Sequence, residues 1–386
     1  MTSGVTAPAG FVAAAGAAGI KAGGALDLSL VATDDGRPVI AAAVFTTNKA
    51  TAGPVNVSRA HLAATGGRAA AVVLNSGCAN AATGATGDAD AARMCELVGA
   101  ALGCDPAEVL VCSTGLIGYY LPMPSVEKGI GPLVAARHAG GGADAARAIM
   151  TTDTVAKEVS VAGDGYTVGG MAKGAAMLAP DMATMLAVLT TDAVADPDQL
   201  LGQLRAAVAG SFNALVVDGC TSTNDTVIVL ANGRSGRALE PAVLAEACAR
   251  LARMMAADAE GATKLARIRV HGAASDADAR RAARKVAESQ LVQCSLYGAD
   301  PYWGRVVSEL GSSGADFDPN RVTVSYGDVA VCRDGTAADH DEDAVAGHMA
   351  GRDVDITADL GLGDGRAAML FTDLTPGYID ENMRTS

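Results

Sequence analysis

Short apolar runs that end in polar, glycine-containing turns alternate with helical segments along this chain. The runs at 68–77 (RAAAVVLNSG) and 108–115 (EVLVCSTG) are typical of buried strands that lead into a turn. Alternation of this kind indicates layered α/β or α+β architecture. The pattern predicts further strands at 185–189, 226–231, 265–272 and 322–332, and helices at 88–101, 143–150, 198–209, 240–257 and 276–288.

The composition indicates a large globular protein with an acidic surface. Of the 386 residues, 50% are hydrophobic and 19% are charged, which suggests two or three packed units with a substantial core. The formal net charge is -14, so nucleic acids and anionic membranes are poor partners. No apolar run reaches the length of a transmembrane helix, and no basic segment precedes the Ala- and Gly-rich residues 5–20. We therefore expect a cytoplasmic protein.

The cysteines and histidines follow no metal-binding or disulfide pattern. None of the 8 cysteines belongs to a CxxC pair, and the 5 histidines lack HExxH spacing. A histidine-based metal site and a Ser-His-Asp triad are therefore poorly supported. We expect the cysteines to be buried, reduced thiols.

The pair Ala183–Thr184, followed by the apolar run at 185–189, has the layout of a self-activating nucleophile. The Thr184 hydroxyl could attack the carbonyl of Ala183, and hydrolysis of the resulting ester would release a new N-terminal threonine. Its α-amine, with an ordinary pKa of about 7.7–8.0, could then act as general base, so no histidine is required. Taken alone, however, an Ala-Thr pair is more typical of a threonine at the start of a strand.

Several separate motifs favour the interpretation of Thr184 as a nucleophile, because they occur together and in order. The stretch KGAAMLAPDMATMLAVLTTDA (173–193) closely resembles the signature of the ornithine acetyltransferase family, also called glutamate N-acetyltransferases. The resemblance extends almost from end to end of the chain. The other matching segments are VTAPAGF and AGIKAGGALDL near the N-terminus, NSGCANAATG (75–84), CSTGLIG (112–118), AIMTTDT (148–154), STNDT (222–226), DAEGATK (258–264), DPYWGR (300–305) and YIDEN (378–382).

This resemblance implies a layered α/β sandwich of the autoprocessing type and a ping-pong acetyltransferase. It implies cleavage between Ala183 and Thr184 into chains 1–183 and 184–386, which would stay together as an α2β2 assembly. Thr184 would take the acetyl group from N2-acetylornithine and pass it to glutamate, which recycles the acetyl group in arginine synthesis. Some family members also use acetyl-CoA as a donor, and the motifs leave this open. No metal or bound cofactor is implied.

The resemblance also assigns roles to individual positions. Thr114 and Gly115, in CSTG, match the oxyanion-hole pair, whose donors would hold the tetrahedral intermediate. Lys173 matches a lysine that binds a substrate carboxylate or lowers the pKa of the Thr184 amine. The remaining substrate contacts that it implies are Thr151 (with Thr152 as an alternative), Glu260, Asn382 and Ser386 (with Thr385 as an alternative).

A few positions depart from the family's pattern. Asp181 stands where Asn or Ser is usual, Tyr302 replaces an asparagine, and Gln293 replaces a common lysine. These changes leave the nucleophile intact but bear on the acceptor, so a specialised-metabolism acyltransferase is one alternative. A second is an amidase or aminopeptidase with an N-terminal nucleophile, which would release its acyl group to water. A third is a non-enzymatic protein on the same scaffold, which need not cleave.

Overall fold

The structure is a computed structural model that describes residues 3–179 and 185–383. Each of its two compact units mixes helices and strands, so the predicted α/β class is confirmed. The first unit contains residues up to Asn213 and Cys220–Met255, and the second contains Ala214–Gly219 and the residues from Ala256 onward.

The strands and helices are numbered in chain order. The strands are β1 (Phe11–Gly16), β2 (Leu28–Thr33), β3 (Val39–Phe45), β4 (Arg68–Ala69), β5 (Ala71–Cys78), β6 (Val109–Leu116), β7 (Lys157–Ala162), β8 (Thr167–Lys173), β9 (Leu186–Thr191), β10 (Leu215–Val216), β11 (Thr226–Ala231), β12 (Leu265–Ala273), β13 (Thr323–Tyr326), β14 (Val329–Arg333), β15 (Thr336–Ala337), β16 (Asp353–Asp359) and β17 (Gly365–Thr372). The α-helices are α1 (Gly53–Ala64), α2 (Gly84–Leu102), α3 (Met123–Ala135), α4 (Gly142–Ala148), α5 (Pro197–Ala209), α6 (Pro241–Ala257), α7 (Asp276–Ala287), α8 (Gln290–Tyr297), α9 (Trp303–Ser312), α10 (Glu342–Ala350) and α11 (Pro376–Asn382).

Two sheets pack face to face in the first unit. One has the strand order β1-β2-β5-β6, and the other has the order β4-β3-β11-β9-β8-β7. Apolar side chains from both sheets, such as Val72 and Leu74 from the first and Val188 and Ile228 from the second, share one buried cluster. Helices α2 and α3 cover the other face of the first sheet, and α5 packs on β3. This is the layered sandwich that the family resemblance implies.

Strand β9 lies inside the second of these sheets. It pairs with β8 in antiparallel orientation and with β11 in parallel orientation. Lys173, the last residue of β8, is the register partner of Leu186, the first residue of β9. The predicted cleavage point therefore falls between two neighbouring strands of one sheet, and not between the two compact units.

Strand β6 forms an edge of its sheet, so its outward-facing backbone groups need partners other than a strand. Helix α1 supplies them. Ser58 Oγ donates to Val111 O at 2.7 Å and accepts a hydrogen bond from Val111 N–H at 2.8 Å, and His61 Nδ1 lies 2.8 Å from Val109 O. Because β6 carries Thr114 near its end, this helix also fixes the strand of the predicted oxyanion pair.

Replacing Ser58 by alanine should therefore destabilise the protein by about 1–3 kcal/mol, because the buried N–H and C=O groups of Val111 both lose a partner. The urea midpoint near neutral pH measures this loss. Ser312→Ala, which removes an exposed hydroxyl in α9, is the matched control and should change stability by less than about 0.5 kcal/mol. Equal midpoints for the two variants would contradict this role of Ser58.

The second unit is built on one sheet with the order β10-β17-β12-β16-β13-β14-β15. Helix α7 packs on β12 and β17, and its alanines join the buried core. The single strand predicted at 322–332 is wrong. The chain reverses at Gly327, whose φ is 57°, and forms the antiparallel pair β13–β14 instead.

The structure tests three further expectations from the sequence. The helix predicted from Asp88 begins earlier, at Gly84. The cysteines carry free thiols, but Cys220 and Cys294 are exposed, so the expectation that all are buried is wrong for these two. Among the described helices, none combines the length and the apolar character that a membrane span requires.

Candidate functional site

A buried hydrogen-bond network joins the ends of β5 and β6 to the loop before β11. Ser113 Oγ donates to Asn75 Oδ1 at 2.5 Å, and Asn75 Nδ2 donates to Cys78 O at 2.8 Å. Asn224 Nδ2 donates to the carbonyl oxygens of Ala79 and Ser113 at 2.6 and 3.0 Å. Because a buried amide without partners is costly, these bonds fix the two strand ends and the loop in one arrangement.

Thr114 and Gly115 follow directly on this network and line a small surface depression. Ser222, Thr223 and Asn224 line the same depression. Gly115 has a φ of 129°, and a Cβ atom there would lie 2.3 Å from the carbonyl carbon of Gly77. Only glycine fits this close approach of the two strands. The structure thus brings the predicted oxyanion pair together with the STNDT segment.

The residues before β9 and after the predicted cleavage point are tied to the same loop. Ala183 and Thr184 lie outside the described residues, but Met185 lies within them. The Met185 N–H donates to Asp225 Oδ1 at 2.8 Å, and the Thr226 N–H donates to Met185 O at 3.2 Å. The residue that follows Thr184 is therefore held by the segment that also lines the Thr114 depression.

Lys173 is buried, with 3% of its surface exposed, so it is not the surface lysine that the pattern alone allows. Asp153 organises its surroundings. Asp153 Oδ1 accepts hydrogen bonds from Lys157 Nζ at 2.6 Å and from the Gly174 N–H at 2.8 Å, and Oδ2 accepts one from the Thr151 N–H at 3.0 Å. Because Gly174 follows Lys173, one carboxylate orients two of the predicted substrate contacts. Thr152, the alternative to Thr151, is exposed.

Positive charge gathers around this carboxylate. Burial alone would raise the pKa of Asp153, but Lys173, Lys157 and the Gly174 N–H outweigh burial and lower it to about 2. Lys21 joins the group, and its Nζ donates to Met150 O at 2.6 Å. Burial, together with the nearby charge of Lys173, lowers the pKa of Lys21. Such surroundings suit a ligand that carries a carboxylate.

The buried ion pair makes a prediction for stability. Asp153→Asn should cost about 3–5 kcal/mol near neutral pH, because the fully buried Lys157 ammonium would lose its anionic partner. The folded-state pKa of Asp153 is lowered, so its contribution is complete above the unfolded pKa of about 3.9 and disappears as the pH falls towards about 2.

Urea unfolding of wild type and variant across that pH range measures the difference. Asp164→Asn, which removes an exposed ion pair with Arg237, is the matched control and should cost at most about 1 kcal/mol at any pH. If Asp153→Asn behaves like this control, the ion pair does not hold the region together.

Glu260 and Asn382 contact each other within the second unit. Asn382 Nδ2 donates to Glu260 Oε2 at 2.8 Å, and Glu260 is buried at 8% exposure. Gly261 makes this possible, because a Cβ atom there would lie 2.2 Å from the Tyr378 backbone nitrogen and would displace α11. The structure thus pairs two predicted substrate contacts that are far apart in sequence. Ser386, the third predicted contact at this end of the chain, lies outside the described residues.

Two of the departures from the family's pattern have structural explanations. Gln293 is buried, and its Nε2 donates to the carbonyl oxygens of Val217 and Ala287 at 3.1 Å each, so it stabilises the second unit from inside. Tyr302 is exposed, and the Arg305 guanidinium lies over its ring, 5.7 Å from the ring centroid. Asp181 lies outside the described residues.

Four residues of these networks have no role that the sequence alone predicts: Asn75, Asp153, Asn224 and Asp225. Each of them stands inside a motif that was quoted whole, so the motifs were the available signal. The motifs do not show the hydrogen-bond partners of these side chains, because those partners come from other segments. In the parts of the chain that the structure describes, His, Cys, Asp and Glu side chains form no cluster that could hold a metal ion.

The chain is similar to known proteins over almost its whole length. The sequence model of the ArgJ family matches residues 12–385. The arginine biosynthesis bifunctional protein ArgJ of Thermobifida fusca is 49% identical over 382 residues, which cover 98% of each chain. The protein of the same description from Mycobacterium bovis is 49% identical over 391 residues, which cover 98% of this chain and 95% of the relative.

A solved structure is also similar. The crystal structure of ornithine acetyltransferase complexed with ornithine from Mycobacterium tuberculosis has 49% sequence identity and a TM-score of 0.44. The match covers 47% of this chain and 96% of that chain.

Proposed function

The chain belongs to the ArgJ family, and on that premise we propose that it is an acetyltransferase of arginine biosynthesis. In the proposed reaction Thr184 takes the acetyl group from N2-acetylornithine, releases ornithine, and passes the acetyl group to glutamate. The nucleophile is exposed by cleavage between Ala183 and Thr184. Acetyl-CoA is a second candidate donor, which is tested by an assay with acetyl-CoA and glutamate in the absence of N2-acetylornithine.

One observation carries this proposal. The loop at 222–225 bonds to Ser113, directly before the oxyanion pair, and to Met185, directly after the nucleophile. Because the two contacts come from the adjacent residues Asn224 and Asp225, the distance between those strand ends is set by one short, buried segment. Acyl transfer needs such a fixed relation between nucleophile and oxyanion donors.

The chemistry assigns one function to each group. The α-amine of Thr184, with an ordinary pKa of about 7.7–8.0, takes the proton of its own hydroxyl as that oxygen attacks the acetyl carbonyl. Thr114 and Gly115 donate to the oxyanion that forms. Lys173 binds the substrate carboxylate, and its charge also favours the neutral, basic form of the amine.

The proposal assigns each charged group the part of a substrate that its charge suits. The cationic group formed by Lys173 and Lys21 suits the carboxylates of acetylornithine and glutamate. The Glu260 carboxylate suits the amine of ornithine, and Asn382 holds that carboxylate in place. Thr151 and Ser386 complete the proposed contacts.

The proposed chains 1–183 and 184–386 would stay together after cleavage. Strands β8 and β9 lie on opposite sides of the cut and form a continuous antiparallel ladder from Val168–Thr191 to Lys173–Leu186. Cutting the peptide bond between them leaves this ladder and the surrounding core intact. An α2β2 assembly in the cytoplasm remains part of the proposal.

The test is to express the full chain, identify its fragments by mass, and measure acetyl transfer from N2-acetylornithine to glutamate. Wild type should yield two fragments and transfer the acetyl group. Thr184→Ala should stay uncut and lose transfer by about 10³-fold or more, because nucleophile and base disappear together. Thr191→Ala, at the far end of β9, is the matched control and should still cleave.

An uncut wild type whose activity survives Thr184→Ala would overturn the proposal. Cleavage that is followed only by release of acetate would favour a hydrolase. Transfer to an amine other than glutamate would favour a specialised acyltransferase.

Thr114→Ala should lower kcat by about 10²–10³-fold if its hydroxyl is an oxyanion donor, with a smaller effect on KM, since the charge develops only in the transition state. Steady-state kinetics measure both constants. Ile117→Ala removes an apolar side chain that lines the same depression and serves as control. A kcat unchanged in Thr114→Ala would exclude the hydroxyl from this role.

A further inference from the structure

Helix α11 carries Asn382, but burial in the core does not hold this helix in place. The helix has seven residues, and none of them is buried. Its apolar side chain Ile379 is 55% exposed. Since a helix of this length has little stability of its own, polar contacts must fix α11. Those contacts also set the position of Asn382 relative to Glu260.

The hydroxyl of Thr375 makes two of these contacts. Thr375 is the N-cap residue of α11 and is buried at 3% exposure. Its Oγ1 accepts the Tyr378 N–H at 3.1 Å, which caps the helix, and donates to Gly261 O at 2.7 Å. Because Gly261 directly follows Glu260, one hydroxyl joins the start of α11 to the backbone beside that carboxylate.

Asp373 fixes the other end of the loop that carries Glu260. It is buried, and its Oδ1 accepts the N–H groups of Thr263 and Lys264 at 2.9 Å each. Strand β12 begins at the next residue, so this end of the loop is anchored to the sheet. These bonds do not reach α11. The connection between the loop and the helix therefore depends on Thr375.

The last residue of α11 completes the arrangement. Asn382 Nδ2 donates to Glu260 Oε2 at 2.8 Å and to Tyr378 O at 2.9 Å, so the amide has one preferred orientation. A hydrogen bond of this kind is lost once its two atoms are more than about 3.5 Å apart. A shift of α11 by less than 1 Å, roughly, would therefore release the Glu260 carboxylate from its fixed orientation.

We propose that Thr375 is a positioning residue for amine recognition: its hydroxyl, acting through Gly261 and Asn382, holds the Glu260 carboxylate in the orientation that binds the side-chain amine of ornithine or N2-acetylornithine. This inference rests on the proposed function, because it takes Glu260 as the group that binds this amine. Thr375 itself does not touch the substrate. Its loss should therefore weaken binding of the amine and leave the chemical step unchanged.

The second unit offers a matched control in Ser289, the N-cap residue of α8. Ser289 is buried at 8% exposure, and its hydroxyl accepts the Val292 N–H at 3.4 Å and donates to Glu309 Oε1 at 2.8 Å. It thus caps one helix and connects it to a second element, as the Thr375 hydroxyl does. None of its partners is a predicted substrate contact.

The first measurement is the affinity of the full-length protein for ornithine, by isothermal titration calorimetry. Thr375→Val keeps the shape of the side chain and removes the hydroxyl. It should raise the Kd by about 10-fold or more, because a charged group loses its alignment. Thr375→Ser keeps the hydroxyl and should stay within about twofold of wild type, as should Ser289→Ala. A wild-type Kd in Thr375→Val would overturn the inference.

Kinetics and a double-mutant cycle separate positioning from a general structural role. Thr375→Val should raise KM for N2-acetylornithine by about 10-fold or more and change kcat by less than about threefold. In a Glu260→Gln background, adding Thr375→Val should change the ornithine Kd by less than about twofold, because the carboxylate through which Thr375 acts is gone. Equal effects of Thr375→Val in both backgrounds, or a loss confined to kcat, would contradict positioning.

If Thr375→Val does not fold, Thr375→Ala takes its place, since it also lacks the hydroxyl. Failure of both variants to fold would make Thr375 a purely structural residue and would overturn the inference.

The two proposals can fail separately. The proposed function fails if the wild-type protein transfers no acetyl group from N2-acetylornithine to glutamate, whatever the Thr375 variants do. The inference about Thr375 fails if wild type transfers the acetyl group and Thr375→Val binds ornithine as tightly as wild type.

Discussion

The buried side chain of Asn224 is the contact on which the rest of the site depends. Its amide donates to the ends of two neighbouring segments, Ala79 after β5 and Ser113 in β6, while its own loop leads into β11 of the facing sheet. One side chain thus connects the two sheets of the first unit at the point where their strands end. If it were lost, two carbonyl oxygens would remain buried without partners, and the distance between β6 and β9 would no longer be fixed.

This contact explains why motifs so far apart in sequence act as one unit. The NSGCAN segment supplies Asn75, the CSTG segment supplies Ser113 and the oxyanion pair, and the STNDT segment supplies Asn224 and Asp225. Asp153 does the same for the Thr151 and Lys173 segments, because its carboxylate accepts hydrogen bonds from the Thr151 and Gly174 N–H groups. Polar groups inside a core are stable only as satisfied networks, so the site and the fold constrain each other.

Much of the fold could be predicted from the sequence, because buried strands such as 226–231 are uninterrupted apolar runs between turn residues. The prediction failed where a turn was short. The run at 322–332 stays apolar on both sides of Gly327, and nothing in its periodicity marks the reversal. The start of α2 was also misplaced, because Asp88 has the better capping side chain, whereas tertiary contacts such as the bond from Asn80 Nδ2 to Gly87 O support an earlier start.

The site was harder to predict than the strands. The family resemblance identified Thr114, Lys173 and Glu260 as candidates. All three are buried, so they are not ordinary surface residues. It could not identify Asp153 or Asp225, because a sequence pattern does not indicate which distant backbone N–H groups a carboxylate will accept. Those partners exist only after the sheets have packed.

The central claim is that the acetyl group is carried on Thr184, and trapping it there is the most direct test. The cleaved protein would be incubated with N2-acetylornithine in the absence of glutamate, quenched in acid, and analysed by peptide mass mapping. The account predicts that the peptide beginning at Thr184 gains the mass of one acetyl group and loses it when glutamate is added. Acetyl transfer to glutamate without any acetylated Thr184 peptide would contradict the account.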